Sequence, residues 1–204
     1  MTSANFEKAL VALSNRKFFK NISISRGIER EALRSNLNGV ISKTPHPKSL
    51  GSALTNPFIT TDFAEALIEM VTPTFDTVEG LHSFLENLDF FVKENLNDEI
   101  LWNASMPCEL GDEKQIQIAE YGVSNTGRLK NIYRRGLRER YGSAMQCVSG
   151  IHYNFSLSKK SWQDFLNQNE SNQAEIDKAY FGRIVSFPPI FITKSKWICC
   201  KTKR

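Results

Sequence analysis

The sequence predicts a soluble α+β domain, and three patterns carry that reading. Across residues 77–97, Val78, Leu81, Phe84, Leu85, Leu88, Phe91, Val92 and Leu96 recur at three-and-four spacing behind a Pro-containing turn, the mark of an amphipathic helix. Residues 145–157 alternate instead. Gln146, Val148, Gly150, His152, Asn154 and Ser156 fall on one face; Met145, Cys147, Ile151, Tyr153, Phe155 and Leu157 fall on the other. That is a strand with a polar front and an apolar back. A shorter run, residues 67–72, alternates in the same way around Glu69.

Taken in order, residues 5–20 read as a short amphipathic helix with Phe6, Leu10, Leu13 and Phe18 as its apolar positions. Residues 25–36 place Glu29 and Glu31 two residues apart. On a strand both would share one face, roughly 7 Å apart. Glu-Arg-Glu-Ala-Leu-Arg is also good helix sequence with a solvated charged face. Pattern leaves both readings open. Asn36-Leu37-Asn38-Gly39 marks a turn, and residues 45–52 form a loop rich in Pro, Gly and Ser. Asp62 precedes a further turn. Carboxylates from these separate segments, if they converge, make a hard-oxygen site suited to Mg²⁺.

Residues 100–120 read as short strand and loop, with Trp102 and Met106 as packing residues. The turn-like Tyr121-Gly122-Val123-Ser124-Asn125-Thr126-Gly127 leads into a helix ending near Tyr141. Along it Tyr133, Leu137 and Tyr141 recur every four residues among Arg134, Arg135, Arg138 and Arg140. Such arginines form a solvated face or supply an anion ligand. On the strand that follows, His152, Asn154 and Gln146 near Gly150 suit either a ligand cavity or a sheet face open to water.

Composition excludes several classes. No apolar run approaches the roughly 18 residues of a membrane span, and residues 1–11 mix polar side chains into their apolar ones, so the expected location is cytoplasmic with no membrane partner. The four cysteines (Cys108, Cys147, Cys199, Cys200) lack zinc or redox-motif spacing and read as reduced structural thiols. The net charge of +4 comes from the end of the chain. Residues 183–204 hold six basic and no acidic side chains, whereas residues 1–182 hold 20 basic and 22 acidic ones. A nucleic-acid partner needs a continuous basic surface, which this body does not offer. No phosphate-binding glycine loop, dinucleotide fingerprint or nucleophile elbow is present.

A set of motifs in register goes further. Arg26-Gly27-Ile28-Glu29-Arg30-Glu31, Leu50-Gly51-Ser52-Ala53-Leu54-Thr55, the run 59–73, Ser105-Met106-Pro107-Cys108, residues 121–128, Tyr133-Arg134, Arg140-Tyr141-Gly142 and residues 150–156 occur in this order. Together they closely resemble the amino-terminal part of the proteobacterial type of glutamate–cysteine ligase, over roughly residues 5–182. The resemblance implies a glutamine-synthetase-like curved antiparallel sheet, an incomplete half-barrel, with helices on its outer face. It places Glu29 and Glu31 on a strand facing the cavity.

The implied activity is an ATP-dependent ligation that begins glutathione synthesis. The glutamate γ-carboxylate attacks ATP, and the cysteine amine displaces phosphate from the resulting γ-glutamyl phosphate. Mg²⁺ or Mn²⁺ neutralises the phosphates. By resemblance the metal positions are Glu29, Glu31, Asp62 and Glu69. His152 matches a catalytic position beside metal and phosphate, with neutral imidazole as the useful form. Phe63, Tyr133 and Arg134 match the cysteine pocket, and Gln146 and Asn154 are polar substrate contacts on the same strand. The family implies a monomer. Residues 183–204 depart from the family pattern and read as a frameshifted basic tail. A chain so shortened is expected to be weakly active or inactive, or a non-catalytic remnant needing a separate carboxy-terminal piece.

Overall fold

The computed structural model describes residues 23–158, 160, 161 and 174. The expected helix at residues 5–20 and the tail at 183–204 lie outside these. The chain divides into two compact units, residues 27–154, and residues 1–26 with 155–204.

Five strands form an open antiparallel sheet: β1 (Ile24–Asn36), β2 (Ile59–Thr61), β3 (Leu67–Val71), β4 (Glu99–Trp102) and β5 (Ile151–Leu157). The order is β2-β3-β1-β4, and β5 also pairs with β1. One edge of β1 takes β3, with Glu31 opposite Glu69 and Leu33 opposite Leu67. Its carboxy-terminal half takes β4, with Leu33 opposite Trp102 and Asn36 opposite Glu99. β5 runs antiparallel to it. Glu31 N–H donates to the Gly150 carbonyl at 2.9 Å, while His152 meets Glu29.

The charged 25–36 stretch is therefore strand, and burial explains why. Ala32, Leu33, Arg34 and Ser35 are consecutively buried, so β1 is covered on both faces at the sheet centre. Helix propensity is worth a few tenths of a kcal/mol per residue and loses to that coverage. Arg34 tolerates full burial because both terminal nitrogens of its guanidinium are answered, although its Nε has no partner. Nη1 donates to Thr44 Oγ1 at 2.6 Å and Glu99 Oε2 at 2.7 Å; Nη2 donates to the Thr44 and Glu65 carbonyls.

Two helices pack against this sheet. α1 (Val78–Glu94) starts where Thr77 Oγ1 accepts the Gly80 N–H, as an N-cap does. Its Leu88 and Val92, with Leu96 beyond its end, pack on Ala32, Ile68 and Met70. Those three point away from Glu29, Glu31 and Glu69, because side chains alternate along a strand. α2 (Asn125–Tyr141) is capped by Ser124, whose hydroxyl accepts the Gly127 N–H at 3.1 Å. Its Leu137 packs on a second cluster that includes Leu33, Phe63, Leu67, Cys108 and Cys147. Leu33 and Leu67 share the face of the glutamates. Among the described residues α1 lies on the far face, and α2 meets, through Leu137, the cluster that contains Leu33 and Leu67.

Two further expectations change. The strand at 145–157 begins only at Ile151; residues Ala144–Cys147 form a 3-10 turn, so Gln146 is not on a strand. The apolar back is also not a packed one, since Ile151 is 68% and Tyr153 51% exposed. Alternation fits a strand with either face outward, and the pattern does not say which is covered. Met106, expected to pack, is 71% exposed; it serves instead through its carbonyl, which accepts the Trp102 indole N–H at 2.9 Å. Among the described residues no helix is long and apolar enough to cross a membrane.

Candidate active site

The register of β1 and β3 builds the site. Glu31 stands directly opposite Glu69, and Glu29 lies two residues along the same face. β2 extends the row, with Thr60 opposite Glu69. β5 closes the other side: His152 Nδ1 lies 3.3 Å from Glu29 Oε2, and Asn154 Nδ2 donates to Glu29 Oε1 at 3.2 Å. Glu31 Oε2 accepts the Gly150 N–H at 2.9 Å. A Cβ at Gly150 would stand 3.3 Å from His152 Nε2 and 3.6 Å from Glu31 Oε2, so the glycine keeps that corner open.

Of the expected site residues, Glu29, Glu31, Glu69, His152 and Asn154 thus share one sheet face. Asp62 follows β2. Its N–H donates to the Leu67 carbonyl, and its own carbonyl accepts Arg134 Nε and, at 3.3 Å, the Tyr121 hydroxyl. Phe63 is 1% exposed inside the core cluster around Leu33, so it supports the site from beneath. Tyr133 is exposed on α2. Gln146 sits on the 3-10 turn, its N–H donating to the Ser143 carbonyl.

The donor set fits a hard divalent cation by its chemistry: carboxylate oxygens with one imidazole. As placed, the side chains do not converge on one point. Among the described residues no three His, Cys, Asp or Glu side chains stand close enough together to hold a metal ion. Glu29 turns to His152 and Asn154, and Glu31 to the Gly150 amide.

Two residues beside the row carry no expected role, Tyr121 and Lys130. The Tyr121 hydroxyl donates to the Thr61 carbonyl at 2.6 Å and takes the Thr61 hydroxyl at 3.0 Å, which fixes the ring. Burial pushes its phenol pKa up, against the Thr61 hydrogen bond and Arg134, while Asp62 and Glu69 add to the rise. Over the ring stand Lys130 Nζ at 4.6 Å and Arg134 Cζ at 4.7 Å from its centroid. A signal existed in the sequence: Lys130 and Arg134 are four apart on one helix and so share a face.

Behind the row, Glu65 is a buried structural carboxylate. It accepts the His46 N–H and the Glu120 N–H, each at 2.8 Å. Burial lowers the pKa of the His46 imidazole; Glu65 opposes that and Arg34 adds to it.

Comparison with known proteins shows the family. The profile of the glutamate–cysteine ligase family matches residues 8–198, a span that reaches into the 183–204 segment. The glutamate–cysteine ligase of Bordetella petrii is 49% identical over 173 residues, which are 85% of this chain and 32% of that protein. That of Edwardsiella ictaluri is 48% identical over 166 residues, 80% and 32% respectively. The crystal structure of the Francisella tularensis glutamate–cysteine ligase in complex with AMP superposes with a TM-score of 0.74 at 42% identity, covering 80% of this chain and 32% of that one. A bifunctional glutathione synthetase from Pasteurella multocida superposes with a TM-score of 0.63 at 36% identity, over 74% and 19%. The chain spans about a third of the length of the curated relatives it matches.

Proposed function

Because the chain belongs to the glutamate–cysteine ligase family, we propose that it carries the amino-terminal part of a site that joins the γ-carboxylate of glutamate to the amine of cysteine with cleavage of ATP. The sheet is of the glutamine-synthetase-like kind. The observation that carries this reading is the register: Glu31 opposite Glu69, with Glu29 on the same face beside His152 and Asn154. A row of acids on an open sheet face is costly through mutual repulsion, which a bound cation relieves.

Glu29, Glu31, Asp62 and Glu69 would hold Mg²⁺ or Mn²⁺ only after their side chains rotate toward one another, Glu29 leaving His152 and Asn154 and Glu31 leaving the Gly150 amide. The ion supplies neutralisation of the phosphate oxygens, so that two anions can approach. The rest falls to the chain's own groups. The glutamate γ-carboxylate attacks the terminal phosphorus of ATP and ADP leaves; the cysteine amine then attacks the acyl carbon and phosphate leaves. His152, held by Glu29, presents its Nε2 toward the Gly150 corner, where it can donate to a phosphoryl oxygen. Tyr133 and Arg134 on α2, with Phe63 beneath, bound the cysteine subsite, and Asn154 and Gln146 are its polar neighbours.

The test is phosphate release dependent on ATP, glutamate and cysteine, measured for the chain alone and mixed with the remaining two thirds of a relative. Release in either case that falls by several orders of magnitude in Glu29→Gln supports the reading. Near-full turnover by Glu29→Gln contradicts it. In a second form of the same reading the chain turns over only with a separate carboxy-terminal piece; release confined to the mixture distinguishes the two.

A further inference from the structure

We propose that Lys130 and Arg134, mounted over the ring of Tyr121, form a binding site for a substrate oxyanion beside the carboxylate row. The source of the oxyanion, a carboxylate or a phosphoryl group, rests on the ligase reading; the site itself does not.

Three observations carry it. First, two cations share one ring, Lys130 Nζ at 4.6 Å and Arg134 Cζ at 4.7 Å from its centroid. Each is attracted to the π-face, yet together they repel. Second, neither is fully answered. Among the described residues Lys130 Nζ makes no hydrogen bond and has no carboxylate within salt-bridge distance. Arg134 commits Nε to the Asp62 carbonyl and Nη1 to the Lys130 carbonyl at 3.1 Å, which leaves Nη2 open. Third, the platform is rigid. The Tyr121 hydroxyl is tied to Thr61, and Gly127 lets the first turn of α2 lie against the Tyr121 carbonyl, where a Cβ would come within 2.5 Å.

A part-buried ammonium next to a guanidinium, with donors to spare, is the chemistry of a two-oxygen anion clamp. Burial lowers the Lys130 pKa, Arg134 lowers it further and Glu69 opposes both, so the ammonium does feel the acidic row.

The experiment uses the complete 204-residue chain at fixed Mg²⁺. It is titrated calorimetrically with inorganic phosphate, L-glutamate and L-cysteine in separate arms. Loss of one charge-assisted contact should weaken one class by about tenfold or more in Lys130→Met, with partial recovery in Lys130→Arg and no change in the exposed control Arg135→Met. A loss confined to phosphate assigns a phosphoryl group; a loss confined to an amino acid assigns its carboxylate. Equal affinities in Lys130→Met and the parent for all three probes, or no saturable binding by the parent, overturn the site. Should Lys130→Met not fold, Lys130→Gln is read by the same criteria. Binding that follows this pattern, with no phosphate release under turnover conditions either from the chain alone or from its mixture with the remaining two thirds of a relative, contradicts the ligase reading alone.

Discussion

Replacing Gly127 by alanine sets two effects of opposite sign against each other. Gly127 lies in the first turn of α2, and alanine there gains about 1 kcal/mol of helix propensity. The added Cβ, however, would stand 2.5 Å from the Tyr121 carbonyl oxygen, 2.9 Å from that of Gly122 and 3.0 Å from the Tyr121 carbonyl carbon. All three are backbone atoms, so no side-chain rotation relieves the contact. Overpacking of this kind costs about 1–3 kcal/mol. The helix would have to lift from Tyr121, weakening two cation–π contacts worth about 0.5–1 kcal/mol each. The clash wins, and Gly127→Ala should be destabilised by about 1–4 kcal/mol. Gly136, on the same helix, is the control. A Cβ there meets nothing within 4 Å, so Gly136→Ala should gain about 0.5–1 kcal/mol. Urea titrations followed by far-ultraviolet circular dichroism read both. If the two variants gain stability alike, the close approach of α2 to Tyr121 is not a constraint and the rigid platform loses its support.

Two further outcomes follow from buried groups. Burial opposes ionisation of Glu99, but hydrogen bonds from Ser42 and Thr44 and the Arg34 guanidinium outweigh it and hold its pKa below the usual carboxylate value. That stabilisation is complete above the unfolded-state value of about 4.3 and is lost as pH falls through the lower folded-state value. Glu99→Ala, which strands a fully buried Arg34, should cost about 3–5 kcal/mol at neutral pH, with the gap to the parent narrowing on acidification; a pH-independent gap would refute the pairing. The Cys147 thiol is pushed up to about 12 by burial, with Cys108, Glu113 and Asp62 adding to the rise. Iodoacetamide at mildly alkaline pH should label it about a thousandfold more slowly in the folded chain than in urea, as peptide mass spectrometry would show; equal rates would mean the thiol is not enclosed.

The sequence revealed parts of this structure where side-chain period and burial agree. α1 was legible because Leu88, Val92 and Leu96 of its three-and-four stripe pack with Ile68 and Met70, although Val78 and Phe91 of the same stripe are exposed. The short run around Glu69 was legible on one face, where Ile68 and Met70 are buried, while Leu67 on the face of Glu69 is buried as well. β1 was not. Covered on both faces, it shows no alternation, and its buried Arg34 mimics a surface residue; only resemblance made it a strand. The strand at 145–157 was half legible. Its polar face is the one beside Glu29, but its start was set at Met145, inside the 3-10 turn Ala144–Cys147 and six residues before Ile151, which displaced Gln146. Lys130 went unread because one lysine among arginines on a helix carries no sign of the ring beneath it.

The earliest described strand is also the last to be completed. Glu29 finds His152 of β5 123 residues later in the chain, and Glu31 finds Gly150, just before β5, 119 residues later. Contacts of such separation demand that a long loop be closed before any reward arrives, which slows their formation. During synthesis β1 can dock on β3 and α1 long before Gly150 and His152 have left the ribosome. The acidic row would then spend that interval open along one flank, exposed to metal ions and to wrong strands alike.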